Sequence, residues 1–238
     1  MSPIIKQNSC DKLHCVPTQV RKIKPTRRSV SGQYAFRGLN AVPFESTLER
    51  DFIMRCEFQL SVLDIIAQPV EVPFQASNGL EYSYTPDFLV YYRLGSRSHI
   101  DYPKPILVEV KPKEKWTKHW REWLPKWKAA HRYATEQGWR FCIYDESRIR
   151  DGVLNNIRYL ERYARMDFEQ QDLDQITNTV STMGTCTVDY LLSRHYPGIY
   201  RDRGLMQIWH LIAIRRLDCD ISGLLSHTTE LWVANYEQ

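Results

Sequence analysis

Thr85-Pro86-Asp87-Phe88-Leu89-Val90 and, further along, Val108-Glu109-Val110-Lys111-Pro112 are the two stretches on which the reading of this chain turns. Each sits in a run of strand-forming residues. Tyr82 to Tyr92 is rich in aromatic and β-branched side chains, and Ile106 to Lys111 is a second, shorter run of that kind. Side chains on a strand alternate between faces, so Glu109 and Lys111 share one face while Val108 and Val110 point to the other, into a core. If the strands pair antiparallel through the turn region from Gly95 to Pro105, Asp87 comes level with Glu109. Two carboxylates and one ammonium then meet at one sheet end.

Adjacent carboxylates repel and raise each other's pKa, whereas a hard divalent cation prefers oxygen ligands and neutralises them. The cluster therefore implies a bound metal, Mg2+ with Mn2+ as a substitute. A cation there polarises a scissile phosphate, while Lys111 orients the nucleophile or offsets charge in the transition state. That is the chemistry of a metal-dependent phosphodiester nuclease. The same residues also admit a plainer reading, with Asp87 and Glu109 as solvated strand residues and Lys111 paired to one of them.

On these residues the chain resembles the PD-(D/E)xK nucleases. More narrowly, it resembles the TnsA endonucleases of heteromeric cut-and-paste transposons, including those allied with CRISPR effectors. Further segments fit in order: Glu45-Ser46-Thr47-Leu48-Glu49-Arg50-Asp51-Phe52, Val62-Leu63-Asp64-Ile65 with Gln68-Pro69, and Gly138-Trp139-Arg140-Phe141 through Asp145-Glu146 to Ile149-Arg150 and Leu154-Asn155-Asn156. The resemblance runs from about Phe44 to Leu160. It implies an α/β fold with a restriction-endonuclease-like core, a mixed sheet flanked by helices. Asp87 and Glu109 would be metal ligands, Lys111 the catalytic lysine, and Glu49 a helix-borne acid that joins them. The family sometimes carries Gln where this chain has Glu109. Family members cut the 5′ ends of the transposon while a DDE-type transposase subunit cuts and joins the 3′ ends. The implied partners are transposon-end DNA, that transposase, an AAA+ ATPase regulator and, indirectly, a CRISPR targeting complex.

Glu45 and Glu49 are four residues apart and would share one face of a continuous helix, so spacing alone does not choose between them. The family position, counted back from Val62-Leu63-Asp64-Ile65, selects Glu49. Ser46-Thr47-Leu48-Glu49 also has the form of a capping box, in which Glu49 serves the helix start.

The length of 238 residues allows one large domain or a main domain with a smaller companion. A net charge of +4 says less than its distribution. Residues 1 to 44 carry eight Lys or Arg, among them Lys22, Lys24, Arg27 and Arg28, against Asp11 alone; the remainder holds 24 basic and 27 acidic residues. With Pro17, Pro25, Ser29, Ser31 and Gly32 interspersed, this arm has no sustained hydrophobic period and is expected to be extended until it meets a partner. A DNA backbone suits it, in contacts that are salt-dependent and blind to sequence; a merely solvated tail is the alternative. The six cysteines, at 10, 15, 56, 142, 186 and 219, make no close CxxC pair, and no apolar run is long enough to span a membrane. A reducing bacterial cytoplasm, near the nucleoid, fits. Cys10, His14 and Cys15 lack a second ligand pair at zinc spacing.

Trp116, Trp120, Trp123 and Trp127 recur at helical spacing and form a stripe expected to cover the sheet, with Lys115, Lys118, Arg121, Lys126 and Lys128 beside it. Pro125 predicts a kink or two shorter helices. Lys113 follows the active strand and is a candidate phosphate contact. Past the acidic stretch Asp167 to Asp174, the pattern predicts a helix over Thr187 to Tyr196, a second over Arg203 to Leu217, and a β-ribbon from Cys219-Asp220-Ile221 and Glu230 to Val233. This order suggests a winged-helix-like module, with Arg201, Arg203, Arg215 and Arg216 available to DNA, or else a docking surface for the ATPase.

The expected division is a basic arm over 1–43, a nuclease domain over 44–166 and a winged-helix-like domain over 167–238. The leading expectation is a Mg2+-dependent endonuclease subunit of a transposase. A self-sufficient restriction- or repair-type nuclease on the same core and a catalytically inactive DNA-binding scaffold are the alternatives.

Overall fold

The computed structural model describes residues 17–21, 30–76 and 78–235. Lys22, Lys24, Arg27 and Arg28 of the basic arm, with Cys10, His14 and Cys15, lie outside them. The centre is a four-stranded sheet ordered β3-β6-β7-β8, built from β3 (Val62–Ala67), β6 (Phe88–Tyr92), β7 (Ile106–Val110) and β8 (Arg140–Tyr144). The first two pairings are antiparallel and β7 runs parallel to β8, so the sheet is mixed. Phe88 pairs with Val108 and Leu89 with Leu107, a register that brings Asp87 level with Glu109, as the sequence predicts.

The strand expected from Tyr82 to Tyr92 is two elements. Pro86 has no N–H to give a ladder, and the chain breaks around it into β5 (Glu81–Tyr84) and β6. β5 pairs with β4 (Val72–Gln75) as a separate hairpin. A first hairpin, β1 (Gly32–Phe36) with β2 (Asn40–Phe44), precedes the sheet.

Helix α1 (Thr47–Phe58) covers one face: Leu48, Phe52, Ile53 and Cys56 pack with Val62, Ile65, Phe88, Val90, Val108 and Val110. Helix α2 (Lys113–Glu136) covers the other, where Trp127, Ala130 and Ala134 pack with Leu89 and Leu107. The predicted core face of β7 is therefore right, but the opposite face is not open to solvent; all five residues of the strand are buried. Pro125 does not divide α2, which runs through it. The carbonyl of Arg121, four residues back, loses its donor, and the exposure of Arg121 and Glu122 lets water replace it. In the tryptophan stripe Trp127 is buried, Trp116 and Trp123 are half-buried, and Trp120 is 44% exposed.

Beyond β8 come α3 (Glu146–Ile149) and α4 (Gly152–Ala164), then α5 (Gln170–Met183), β9 (Cys186–Thr187), α6 (Val188–His195), α7 (Arg201–Ala213), β10 (Leu217–Cys219) and β11 (Glu230–Val233). The ribbon forms, but earlier than expected: the helix expected to reach Leu217 ends at Ala213, β10 takes Leu217 and Asp218 with Cys219, Leu217 stands opposite Val233, and a third strand, β9, joins it. This region has its own core around Trp209, Ile208, Ile212, Leu192 and Val180. Leu160 and Tyr163 of α4 belong to that core, so the expected boundary after residue 166 falls beyond the helix that joins it.

Candidate active site

The site is built where β6 and β7 meet the start of α1 and the flank of α2. Asp87 Oδ2 accepts a hydrogen bond from the Val110 amide at 2.7 Å, which locks the first carboxylate onto the neighbouring strand. Glu109 is 1% exposed, and its Oε2 accepts from the Tyr84 hydroxyl at 2.5 Å. Its other oxygen, Oε1, is buried and accepts no hydrogen bond. Two ammoniums face that oxygen: Lys111 Nζ at 3.3 Å and Lys126 Nζ at 3.5 Å. Lys111 also stands 3.5 Å from Asp87 Oδ2, so one lysine bridges both carboxylates. Its backbone N–H donates to the Tyr144 carbonyl of β8 at 3.0 Å, which fixes the residue just past the strand end.

Glu49 is also buried, at the start of α1. Its Oε1 accepts from the Ser46 hydroxyl at 2.9 Å and its Oε2 from the Glu45 amide at 2.7 Å, while its own N–H donates back to Ser46 at 3.2 Å. Glu49 thus serves as a capping residue and still adds its charge to the field at Asp87 and Lys111. Glu45 is not on the helix. It precedes the N-cap Ser46, and Arg21 pairs with it at 3.1 Å, so the expected shared helical face does not exist.

Charge is crowded here. Burial, then the neighbouring charges of Glu109 and Glu49, push the Asp87 carboxyl well above the usual carboxylate range against the opposing pull of Lys111. Glu49 is pushed up chiefly by burial. Burial works to lower the Lys111 ammonium, but Asp87, Glu109 and Glu49 together hold it above the ordinary lysine value. Burial and the charge of Glu109 push the Tyr84 phenol well up, so Tyr84 donates rather than ionises.

Among the described residues, no group of three or more His, Cys, Asp or Glu side chains is arranged to hold a metal ion. What the site offers is a pair of level carboxylates, the donor type a hard cation takes, with two ammoniums facing the buried Glu109 Oε1 and Glu49 nearby but engaged in its cap. That donor set fits a divalent ion.

Three neighbours of the carboxylates were not picked out in sequence as site residues. Tyr84 lies on a different strand from Glu109, and Lys126 lies on a helix whose rotation over the sheet no local spacing reveals. Gln68 follows β3, where the ladder continues from Ala67 opposite Phe88, and its N–H donates to the Asp87 carbonyl at 2.8 Å. It is 4% exposed, its Oε1 accepts no hydrogen bond, and its φ of 47° is left-handed, a conformation glutamine rarely adopts. The Gln-Pro pair was its only signal.

The remaining predicted contacts are scattered. Lys113 opens α2 and is exposed, with its amide donating to Glu146. Arg201 pairs with Asp189, Arg203 with Asp172, Arg215 with Asp218 and Arg216 with Asp174, all far along the chain from the carboxylates. A cavity of about 730 Å³, lined by Met54, Phe58, Ile157, Leu160 and Arg93, lies away from the site and touches none of its carboxylates. Cys56, Cys142, Cys186 and Cys219 are free thiols, and among the described residues no helix is long and apolar enough to cross a membrane.

Two family models match the chain in succession. The model of the TnsA-like endonuclease N terminal matches residues 59–146, and that of the TnsA endonuclease C terminal matches 148–221. Asp87, Glu109, Lys111 and Lys126 fall inside the first match and Glu49 falls before it. No curated protein matches the chain.

Proposed function

Because this chain belongs to the TnsA family of transposon endonucleases, we propose that it cuts the 5′ strands at the transposon ends while a DDE-type transposase cuts and joins the 3′ strands. The observation that carries this reading is the convergence of Asp87, Glu109 and Lys111 at one buried sheet end. In the proposed reaction a water oxygen bonds to phosphorus as the opposite ester oxygen departs. Asp87 and Glu109 would hold a divalent ion, Mg2+ or Mn2+, whose contribution is Lewis-acid polarisation of the phosphate. Lys111 offsets the negative charge that grows on the phosphate oxygens, and Tyr84 holds Glu109 in place.

Mg2+ binding to the folded chain alone is expected to raise its thermal midpoint by several degrees at about a hundred times Kd, where linkage supplies about 2.7 kcal/mol. Asp87→Asn is expected to lose that shift. Scanning calorimetry with and without Mg2+ reads it, and an equal shift in both proteins would move the ion elsewhere.

The order α5–β9–α6–α7–β10–β11 supports reading the C-terminal part as winged-helix-like. Its third helix, α7, is buried from Gln207 to Ile212, and the four arginines expected to face DNA each hold a carboxylate. Both features favour a protein-docking role, with the AAA+ regulator as partner, over insertion into a major groove. An association with a CRISPR targeting complex would be indirect, through that regulator. The basic arm would track the DNA backbone. Cutting by the chain alone separates the readings: a transposase subunit stays silent until its partners are added, whereas a self-sufficient nuclease cuts unaided.

A further inference from the structure

Lys126 is the charged residue of this site to which the family reading gives no task. It stands on α2 with its side chain only 18% exposed. Its Nζ lies 4.7 Å from the centre of the Tyr84 ring and 4.8 Å from that of Trp123, with Trp127 further off at 6.0 Å. Ring faces attract an ammonium through their quadrupole, so three aromatic side chains aim this cation into the site. The carboxylate it faces, Glu109, also has Lys111 at 3.3 Å, so two ammoniums face one oxygen.

Charge accounting gives the second ammonium a use. Glu49, Asp87 and Glu109 against Lys111 and Lys126 leave the ionised site with one negative charge. One divalent ion reverses that to one positive charge, which a phosphodiester then neutralises. Without Lys126 the loaded site would be neutral and would offer the incoming phosphate no net attraction.

We propose that Lys126 is a second active-site ammonium, one that binds a non-bridging oxygen of the phosphate to be cut. This rests on the nuclease reading above. Lys111 and Lys126 converge on the same carboxylate oxygen from a strand end and a helix flank, so the two ammoniums stand side by side where the site opens.

The test uses the full chain with Lys126→Met, and Lys128→Met, exposed on the same helix, as the control. Binding of a labelled random-sequence duplex is followed over a salt series, beside 5′-strand cutting in the mixture with the transposase and ATPase. Loss of one phosphate contact is expected to lower the log–log salt slope by about 0.9. Cutting is expected to fall about a hundredfold, and the Lys128 control to change neither. Lys126→Met with an unchanged slope and cutting within about threefold of wild type would overturn the proposal and leave Lys126 as a counter-charge for Glu109. Should Lys126→Met fail to fold, Lys126→Gln decides, since it removes the ammonium while keeping a polar side chain of similar length. About tenfold slower cutting with an unchanged thermal midpoint supports the proposal, and wild-type cutting contradicts it. A wild-type chain that neither binds nor cuts overturns the nuclease reading and this inference with it, whereas wild-type cutting alongside undiminished cutting by Lys126→Met overturns the inference alone.

Discussion

Asp87→Asn is expected to slow strand cutting by a factor on the order of 10³ while leaving the metal-free chain at least as stable as wild type. Asparagine keeps an oxygen to accept the Val110 amide, so the link between β6 and β7 survives. What it removes is a charge that burial and Glu109 make unwelcome. A carboxyl whose folded pKa lies above its unfolded value stabilises the fold in its protonated form. That contribution is complete below the unfolded value and is lost as pH rises through the folded one. Wild type in EDTA is therefore expected to lose stability, relative to Asp87→Asn, as pH rises out of the ordinary carboxylate range. Urea denaturation at a series of pH values reads this difference. A variant that is both inactive and much less stable would assign Asp87 to the fold instead.

Asp51→Ala is expected to have the largest effect on stability. Its side chain is fully buried and receives Arg150 Nε at 2.7 Å, Arg158 Nη2 at 2.8 Å and Arg50 Nη2 at 3.1 Å. Asp51 is on α1, Arg150 follows α3 and Arg158 is on α4, so one carboxylate ties together the helix that carries Glu49 and the elements behind it. Removing one partner of a buried ion pair costs about 3–5 kcal/mol. The arginines are each about two-fifths exposed, which puts the expected loss at the lower end of that range. Burial raises the Asp51 carboxyl, but hydrogen bonds from Arg150, Arg158 and Arg50 outweigh it and hold it below the usual range. Its stabilisation is thus present above the unfolded value and lost as pH falls through the folded one. Denaturation midpoints at neutral and acid pH test both statements, and a loss below about 1 kcal/mol would remove Asp51 from the central supports of the fold.

The placement of Asp87, Glu109 and Lys111 was more legible than their surroundings. Asp87, Glu109 and Lys111 could be placed because strand alternation and antiparallel register are local rules, and the β6–β7 ladder obeys them. Glu49 was legible in two roles at once, and the structure displays its cap while keeping it among the site charges. Glu45 misled because a spacing of four residues implies a shared face only if the helix has already begun, and it begins after Ser46. Pro86 separated β5 from β6, a break that strand propensity outvoted in the sequence. Pro125 leaves α2 a single helix, so of the two expected outcomes the split does not occur; packing against the sheet overrides one missing hydrogen bond. Lys126, Tyr84 and Gln68 could not be found because their closeness to the carboxylates is tertiary: it depends on where α2 rests, where the β4–β5 hairpin folds, and a left-handed turn after β3.

The central claim about this chain is which strand it cuts, and with which residues. Strand-resolved mapping on end-labelled transposon-end DNA with Mg2+ would compare the chain alone, the chain with its transposase and ATPase partners, and the same mixture carrying Asp87→Asn. The prediction is cuts at the 5′ strands only, dependent on the partners and abolished by the substitution, with 3′-strand cutting retained. Cutting of 5′ strands that persists with Asp87→Asn would contradict it, because the carboxylate pair at the end of β6 and β7 would then not be where the reaction occurs.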